Sequence, residues 1–385
     1  MLYFDHNATT PIAPEVAEVM AAALRDVYGN ASSAHSAGQR ARQHLENARR
    51  MIAQILGASP TEFAFTSGGT EANNLAILGL VRNINAEKKH VVTSTIEHPA
   101  VLESCRQLER EGVEVSYVPV SPDGLIDANL IRRSLRNETV LLSVMHANNE
   151  LGTIQPIEEI AVLIRELRNN GRNIFLHSDG VQAFGKIDSR VDRLGVDLYS
   201  ISAHKIFGPP GIGGLYVRRG VPLERIQFGG HHERERRPGT ENVPAAMAFA
   251  RAAELCTIDT RELRDSFERE VLARVPGIEI NGNRESRLPN TSNLLCHGLS
   301  GEALLIALDM RGIAVSTGSA CSSGAVEPSH VLLAIGRSRE EARSSVRFSF
   351  GRYNTLEDVQ MLIDAVAVCV GKLRSATGWE KQVVA

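Results

Sequence analysis

The sequence predicts an α/β fold: a large, mostly parallel sheet covered by helices on both faces, followed by a smaller α+β part. Three observations predict it. Short, unbroken apolar runs alternate with amphipathic runs through the first two thirds of the chain. Small and polar residues cluster directly after those apolar runs. Beyond about Glu254 the alternation fades and helical patterns dominate. Unbroken apolar strands mark a sheet buried on both faces, and strand–helix alternation marks parallel crossovers.

The elements follow in order. Residues 15–28 carry amphipathic helix spacing, and a longer helix is predicted over 38–56, closed by Gly57. Strands are predicted at 63–66, 91–95, 113–118, 140–145, 174–177, 197–201 and 214–217, with helices at 70–80, 100–110 and 157–169 between them. The later part offers strands at 294–296 and 346–350 and helices at 302–310 and 356–372. Residues 15–255 then form the large part and 256–385 the smaller one. The tail 375–385 is expected to be poorly ordered.

Composition narrows the function. With 385 residues, 43% of them hydrophobic, the chain can bury more than one core. Its net charge of -3 and the lack of a basic half argue against nucleic acid or an anionic membrane as partner. No apolar run approaches the roughly 18 residues that cross a bilayer. Met1 leads straight into Leu2-Tyr3-Phe4-Asp5, so no signal peptide is expected and the cytoplasm is. Five cysteines (Cys105, Cys256, Cys296, Cys321, Cys369) lie far apart without a C-x-x-C pair. That spacing argues against a zinc site and a disulfide framework.

The chemistry falls at predicted strand ends, where ligands sit in such sheets. Thr66-Ser67-Gly68-Gly69-Thr70 lets backbone amides approach an anion at a helix start, with the Thr70 hydroxyl adding a donor. The plainer reading is a glycine-rich turn with a helix cap. Ile96-Glu97-His98-Pro99 puts an imidazole at the sheet edge, able to stack on a flat cofactor and move protons. A solvated loop histidine is the alternative. Asn148 and Asn149 can bind a cofactor oxygen or a substrate carboxylate, or form a turn. Asp179 can pair with a protonated ring nitrogen and Gln182 with a phenolic oxygen on the same ring; a helix-capping Asp179 is the alternative. Lys205, after an apolar strand and before Gly208-Pro209, suits Schiff-base chemistry when partly buried. Singly, each has a bland explanation. Together they supply a lysine, an acid partner for a ring nitrogen and an anion site, which is what pyridoxal phosphate requires.

One thiol stands apart. Cys321 lies within Ser316-Thr317-Gly318-Ser319-Ala320-Cys321-Ser322-Ser323-Gly324-Ala325, too small in side chains to pack a core. That favours an accessible, reactive thiol. The other four cysteines sit in helical or apolar runs and read as structural.

With these residues in place, the whole chain resembles the cysteine desulfurases of the NifS-like and IscS-like group, within the class-V aminotransferases of the aspartate-aminotransferase fold (fold type I). The resemblance rests on Asp5-His6-Asn7-Ala8-Thr9-Thr10, Ser67-Gly68-Gly69-Thr70-Glu71, Glu97-His98, Asn148-Asn149-Glu150, Asp179 to Gln182 and Ala203-His204-Lys205. Further along it rests on Gly229-Gly230-His231, Arg237-Pro238-Gly239-Thr240, Gly318-Ser319-Ala320-Cys321, Glu327-Pro328-Ser329-His330 and Arg347.

The resemblance implies a pyridoxal-phosphate enzyme that converts L-cysteine to L-alanine. Lys205 would hold the cofactor and act as base. Asp179 would meet the ring nitrogen, Gln182 the ring oxygen, and His98 would stack on the ring. Gly69, Thr70, Ser202 and His204 would hold the phosphate, and Thr240 would reach it from the second subunit of a homodimer. Asn149 and Arg347 would bind the substrate carboxylate. Cys321 would take the sulfur as a persulfide, on a loop of the long-loop subgroup, and pass it to an acceptor such as an iron–sulfur scaffold. No metal is expected beyond Cys321 as a transient iron–sulfur ligand. The resemblance also adds residues 1–14 to the smaller part and makes the segment near Trp379 a docking candidate. Gly180, where the family more often has alanine, and likewise Ser178 and Ala31, are expected to alter local stiffness rather than chemistry. A selenocysteine lyase and another class-V aminotransferase remain as alternatives.

Overall fold

A computed structural model describes residues 1–256, 259–317 and 327–377. The seven predicted strands of the first two thirds form one seven-stranded sheet. Its order is Phe63–Thr66, Gly213–Val217, Leu198–Ser202, Phe175–Asp179, Thr139–Ser143, His90–Ser94 and Glu114–Val118. Gly213–Val217 runs antiparallel to both neighbours, and the remaining pairings are parallel.

Successive side chains of a strand point to opposite faces, and the two faces feed different cores. Val92, Leu142, Leu176 and Ile201 join a core with the helices Ser36–Leu56 and Val243–Glu254. Val91, Leu141, Phe175 and Leu198 join another with the helices Gly69–Asn83 and Pro99–Arg110. Both faces are therefore covered, as unbroken apolar strands require. The helix Val243–Glu254 was not expected. Eight of its twelve residues are buried, six of them alanine, and it packs on Ser36–Leu56 and Pro14–Asp26, so it lacks the broad polar stripe that betrays a surface helix.

The later residues build a second, antiparallel sheet from Ile278–Ile280, Thr291–Cys296 and Ser345–Ser349. The helices Arg261–Arg274, Gly301–Asp309 and Leu356–Thr377 contribute to its core around Phe267, Phe348 and Leu362. Phe4 is buried in the same core, and Leu2–Tyr3 pairs with Ile313–Ala314. One expectation is corrected. Residues 375–377 continue the last helix rather than start a loose tail. The Arg374 guanidinium donates to the carbonyls of Pro276, Gly277 and His297, which fastens the final turn. Trp379 lies outside the described residues.

Candidate active site

Parallel strands deliver their ends to one edge, and the predicted residues gather there. Gly69, Thr70, His98, Asn149, Asp179, Gln182, His204, Lys205 and Arg347 line one cavity of about 550 Å³. Of the other expected residues, Ser202 is buried beside the glycine turn, and Thr240 is exposed and does not line this cavity. Cys321 lies outside the described residues, while Ser316 and Thr317, just before its segment, do line the cavity.

Lys205 ends a short 3-10 turn, Ala203–Lys205, directly after its strand. Its Nζ donates to the carbonyls of Asn7 and Ala8, each at 2.6 Å. Burial, helped by the Arg347 cation, pulls its pKa down to about 8, against the pull of Asp5 and Asp179. An amine so placed can lose its proton near neutral pH. Asp179 is the last residue of its strand and is buried. Its Oδ2 accepts from Asn73 Nδ2 at 2.6 Å and its Oδ1 from the Val181 amide at 2.9 Å. Gln182 Nε2 donates to the Asn7 carbonyl at 2.9 Å.

His98 caps the helix Pro99–Arg110, its Nδ1 accepting from the Ala100 amide at 3.1 Å. With Nδ1 accepting, a neutral ring carries its hydrogen on Nε2 and can donate it there. Enclosure by the cavity wall lowers its pKa in spite of Asp179. His204 is held to Thr9 Oγ1 at 3.2 Å, and burial drops its pKa to about 4.

The glycine turn suits an anion. The Ser202 hydroxyl, 1% exposed, has no hydrogen-bond partner among the described residues. A Cβ on Gly69 would fall 2.5 Å from Val181 Cγ2, so only glycine permits this approach. Glu71 braces the turn, accepting from the Ser67 amide at 2.7 Å and from Arg237 Nε at 2.9 Å. Buried acceptor-seeking Ser202, the glycine backbone and carboxylate Asp179 across the same cavity fit pyridoxal phosphate in donor type at both ends of the molecule.

On the other wall, Arg347 sits in the strand Ser345–Ser349, paired to Asp5 Oδ1 at 2.7 Å and to the Asn149 carbonyl at 3.0 Å. Its buried Nε has no hydrogen-bond partner among the described residues. A fixed guanidinium at a cavity wall is suited to a carboxylate.

Several contributors escaped the sequence reading. Asn73, on the buried face of its helix, and Asn7, inside a quoted motif, were given no role there. The buried carboxyls of Glu97 and Glu150 were also missed. Burial raises both pKa values, that of Glu97 to about 8. His330 Nε2 reaches the Glu97 carbonyl at 3.0 Å, and Ser329 donates to Glu150 Oε2 at 2.5 Å. Short spacing could not reveal such pairs, because the partners are far apart in sequence.

The four described cysteines hold poor nucleophiles. Burial pushes Cys105 and Cys296 up to about 12 and Cys256 up to about 11, and it raises Cys369 as well.

The chain is similar to known proteins in sequence and in fold. The family model described as "Aminotransferase class-V" matches residues 2–362. "Cysteine desulfurase IscS" of Dictyoglomus turgidum is 44% identical over 99% of this chain and 97% of that relative. The protein of the same description from Pseudomonas aeruginosa is 44% identical over 97% of this chain and 93% of its own. A solved "NifS-like protein" superposes with a TM-score of 0.90 at 36% identity, covering 97% of this chain and all of that one. A structure described as "SspA in complex with cysteine" gives 0.82 at 37% identity over 92% of this chain and 100% of its own.

Proposed function

This chain belongs to the class-V aminotransferase family and to its cysteine desulfurases, and from that premise we propose the residue roles by which it takes sulfur from L-cysteine. The enzyme depends on pyridoxal phosphate, which when bound supplies an electron sink for bonds broken at the substrate's carbons. The observation that carries the assignment is the convergence of Lys205, Asp179, Gln182 and His98 on one cavity, with Arg347 on the facing wall.

Lys205 holds the cofactor and shuttles a proton at Nζ, a task suited to an amine with a pKa of about 8. Asp179, steadied by Asn73, faces the ring nitrogen. His98 would stack on the ring and can donate a proton from Nε2. Gly69, Thr70, Ser202 and His204 take the phosphate. Arg347 and Asn149 receive the substrate carboxylate, which then competes with Asp5 for the guanidinium. Cys321 attacks the substrate sulfur as a thiolate. An S–S bond forms, the C–S bond breaks, and its electron pair with a proton remains on carbon, so L-alanine leaves and a persulfide stays on Cys321. The proton that Cys321 gives up balances the one that carbon takes.

Thr240, exposed and away from this cavity, serves the phosphate of a second copy in a homodimer. We further assign 15–255 to a cofactor-binding domain and 1–14 with 256–385 to a smaller domain. The persulfide passes to an acceptor protein, with an iron–sulfur scaffold as the favoured class and the segment around Trp379 as a docking candidate. The working compartment is the cytoplasm; among the described residues no helix is long and apolar enough to cross a membrane.

The test is direct. Adding pyridoxal phosphate to the cofactor-free protein should give a visible absorption band, and L-cysteine should then yield alanine. Lys205→Ala should show neither. A wild-type protein without band or alanine would overturn the reading.

A further inference from the structure

A second lysine stands behind Lys205, and the reaction above does not use it. Lys186 follows Gln182 by four residues through a run of turns, in which the Phe184 amide donates to Gly180 and the Lys186 amide to Ala183. That winding brings the two side chains together. Lys186 Nζ donates to Gln182 Oε1 at 2.8 Å and to Asn7 Oδ1 at 3.2 Å. Gln182 Nε2 donates to the Asn7 carbonyl at 2.9 Å, and Lys205 Nζ donates to that same carbonyl at 2.6 Å. Asn7 is held firmly in turn: its Nδ2 donates to Thr291 Oγ1 at 2.8 Å, and its Oδ1 accepts from Asn290 at 3.0 Å.

The chemical types of these neighbours decide which way the Gln182 amide faces. A carbonyl only accepts, so the atom opposite Asn7 is Nε2. An amine brings protons, so the atom opposite Lys186 is Oε1. Nε2 carries two hydrogens, and the Asn7 carbonyl takes one. The other remains for the cavity that Gln182 lines. An oxygen on a cofactor ring needs a donor there, and a flipped amide would set oxygen against oxygen.

The geometry points to Lys186 as a positioning residue that locks the Gln182 amide with Nε2 toward the cofactor's ring oxygen and, through Asn7, couples that amide to the Lys205 amine. This rests on the cavity's being a pyridoxal-phosphate site. Burial, with the Lys205 and Arg347 cations nearby, holds the Lys186 ammonium well below its ordinary pKa. The hydrogen bonds to Gln182 Oε1 and Asn7 Oδ1 are what Lys186 contributes at this site.

The experiment compares cofactor-free wild type, Lys186→Met, Gln182→Leu and the double variant. It reads the dissociation constant of pyridoxal phosphate and the wavelength of the bound band. Lys186→Met keeps the side chain's length and removes the donor. It should weaken binding about tenfold, the scale of one lost polar contact, and move the band toward that of Gln182→Leu. In the double variant the Lys186 substitution should add less than about twofold, because the amide it orients is already gone. Lys186→Gln, which keeps a donor, should stay within about threefold of wild type. Independent, multiplying losses in the double variant would overturn the proposal, as would a Lys186→Met protein with wild-type affinity and band. A wild-type protein that forms no band refutes the functional reading instead, so the two failures are told apart.

Discussion

Replacing Glu97 by glutamine should remove a pH-dependent loss of stability located one residue from His98. The Glu97 carboxyl is fully buried. Its Oε1 accepts from Ser94 Oγ at 2.6 Å and from the Met145 amide at 2.9 Å, while Oε2 has no partner among the described residues. Burial outweighs those two hydrogen bonds and lifts the pKa from 4.5 to about 8. The folded protein thus keeps a proton that the unfolded chain gives up. The stabilisation is whole below about pH 4.5 and is lost as pH rises through about 8. At about 1.4 kcal/mol per pH unit the ceiling is roughly 5 kcal/mol, and local relaxation brings the expected change to roughly 2–5 kcal/mol. Glutamine cannot ionise. It pays instead a pH-independent penalty of about 1–3 kcal/mol, since its Nε2 replaces an Oε2 that has no acceptor nearby. Urea unfolding midpoints of both cofactor-free proteins at about pH 5, 7 and 9 separate the two effects. The wild-type midpoint should fall toward high pH while that of Glu97→Gln changes less, so the two converge or cross. Parallel curves would refute the placement of a neutral carboxyl beside the site.

Three further outcomes follow from named contacts. Arg347→Lys keeps a charge but loses the planar fork, so KM for L-cysteine should rise about tenfold or more while the cofactor's absorption band is retained; an unchanged KM would remove Arg347 from the substrate site. Glu233 pairs with Arg49 at 2.6 and 2.7 Å, both side chains 2% exposed, and opens a run of three residues, Glu233 to Glu235, in the left-handed region. Glu233→Gln should lower stability by about 1–3 kcal/mol in a thermal or urea melt, because Arg49 loses its buried charged partner while keeping Glu46 Oε1 and the Phe63 carbonyl, each at 3.1 Å. Gly180→Ala should cost about 1–3 kcal/mol and weaken pyridoxal-phosphate binding, since a Cβ there would lie 2.0 Å from the Tyr199 ring; wild-type melting and affinity would show that Tyr199 gives way freely.

Much of this was legible before any coordinates. The seven strands could be read because most are buried on both faces and are followed by small or polar residues, the partly exposed edge strand Glu114–Val118 being the exception. Positions at or just after strand ends, such as Asp179 and Lys205, could be read as site positions because a parallel sheet sends all such ends to one edge. The Ala-rich helix Val243–Glu254 escaped because burial of eight of its twelve residues blurs the periodicity. Lys186, Asn7 and Asn73 escaped for another reason: their meaning lies in hydrogen bonds between residues up to hundreds of positions apart, as between Asn7 and Thr291. Gly180 was expected to change stiffness alone. The Tyr199 ring, bonded to His146 Nδ1 at 2.8 Å, fills the space a side chain would need, so the glycine is a packing requirement of the loop that carries Asp179.

The central claim is that sulfur leaves L-cysteine for Cys321. Peptide mass spectrometry after a single turnover without reductant tests it most directly. The Cys321 peptide should gain the mass of one sulfur atom, with an equivalent amount of alanine released, and Cys105, Cys256, Cys296 and Cys369 should stay unmodified. Cys321→Ala should keep the cofactor's absorption band and form no such adduct. Sulfur found on another cysteine, or full alanine release by Cys321→Ala, would contradict the account.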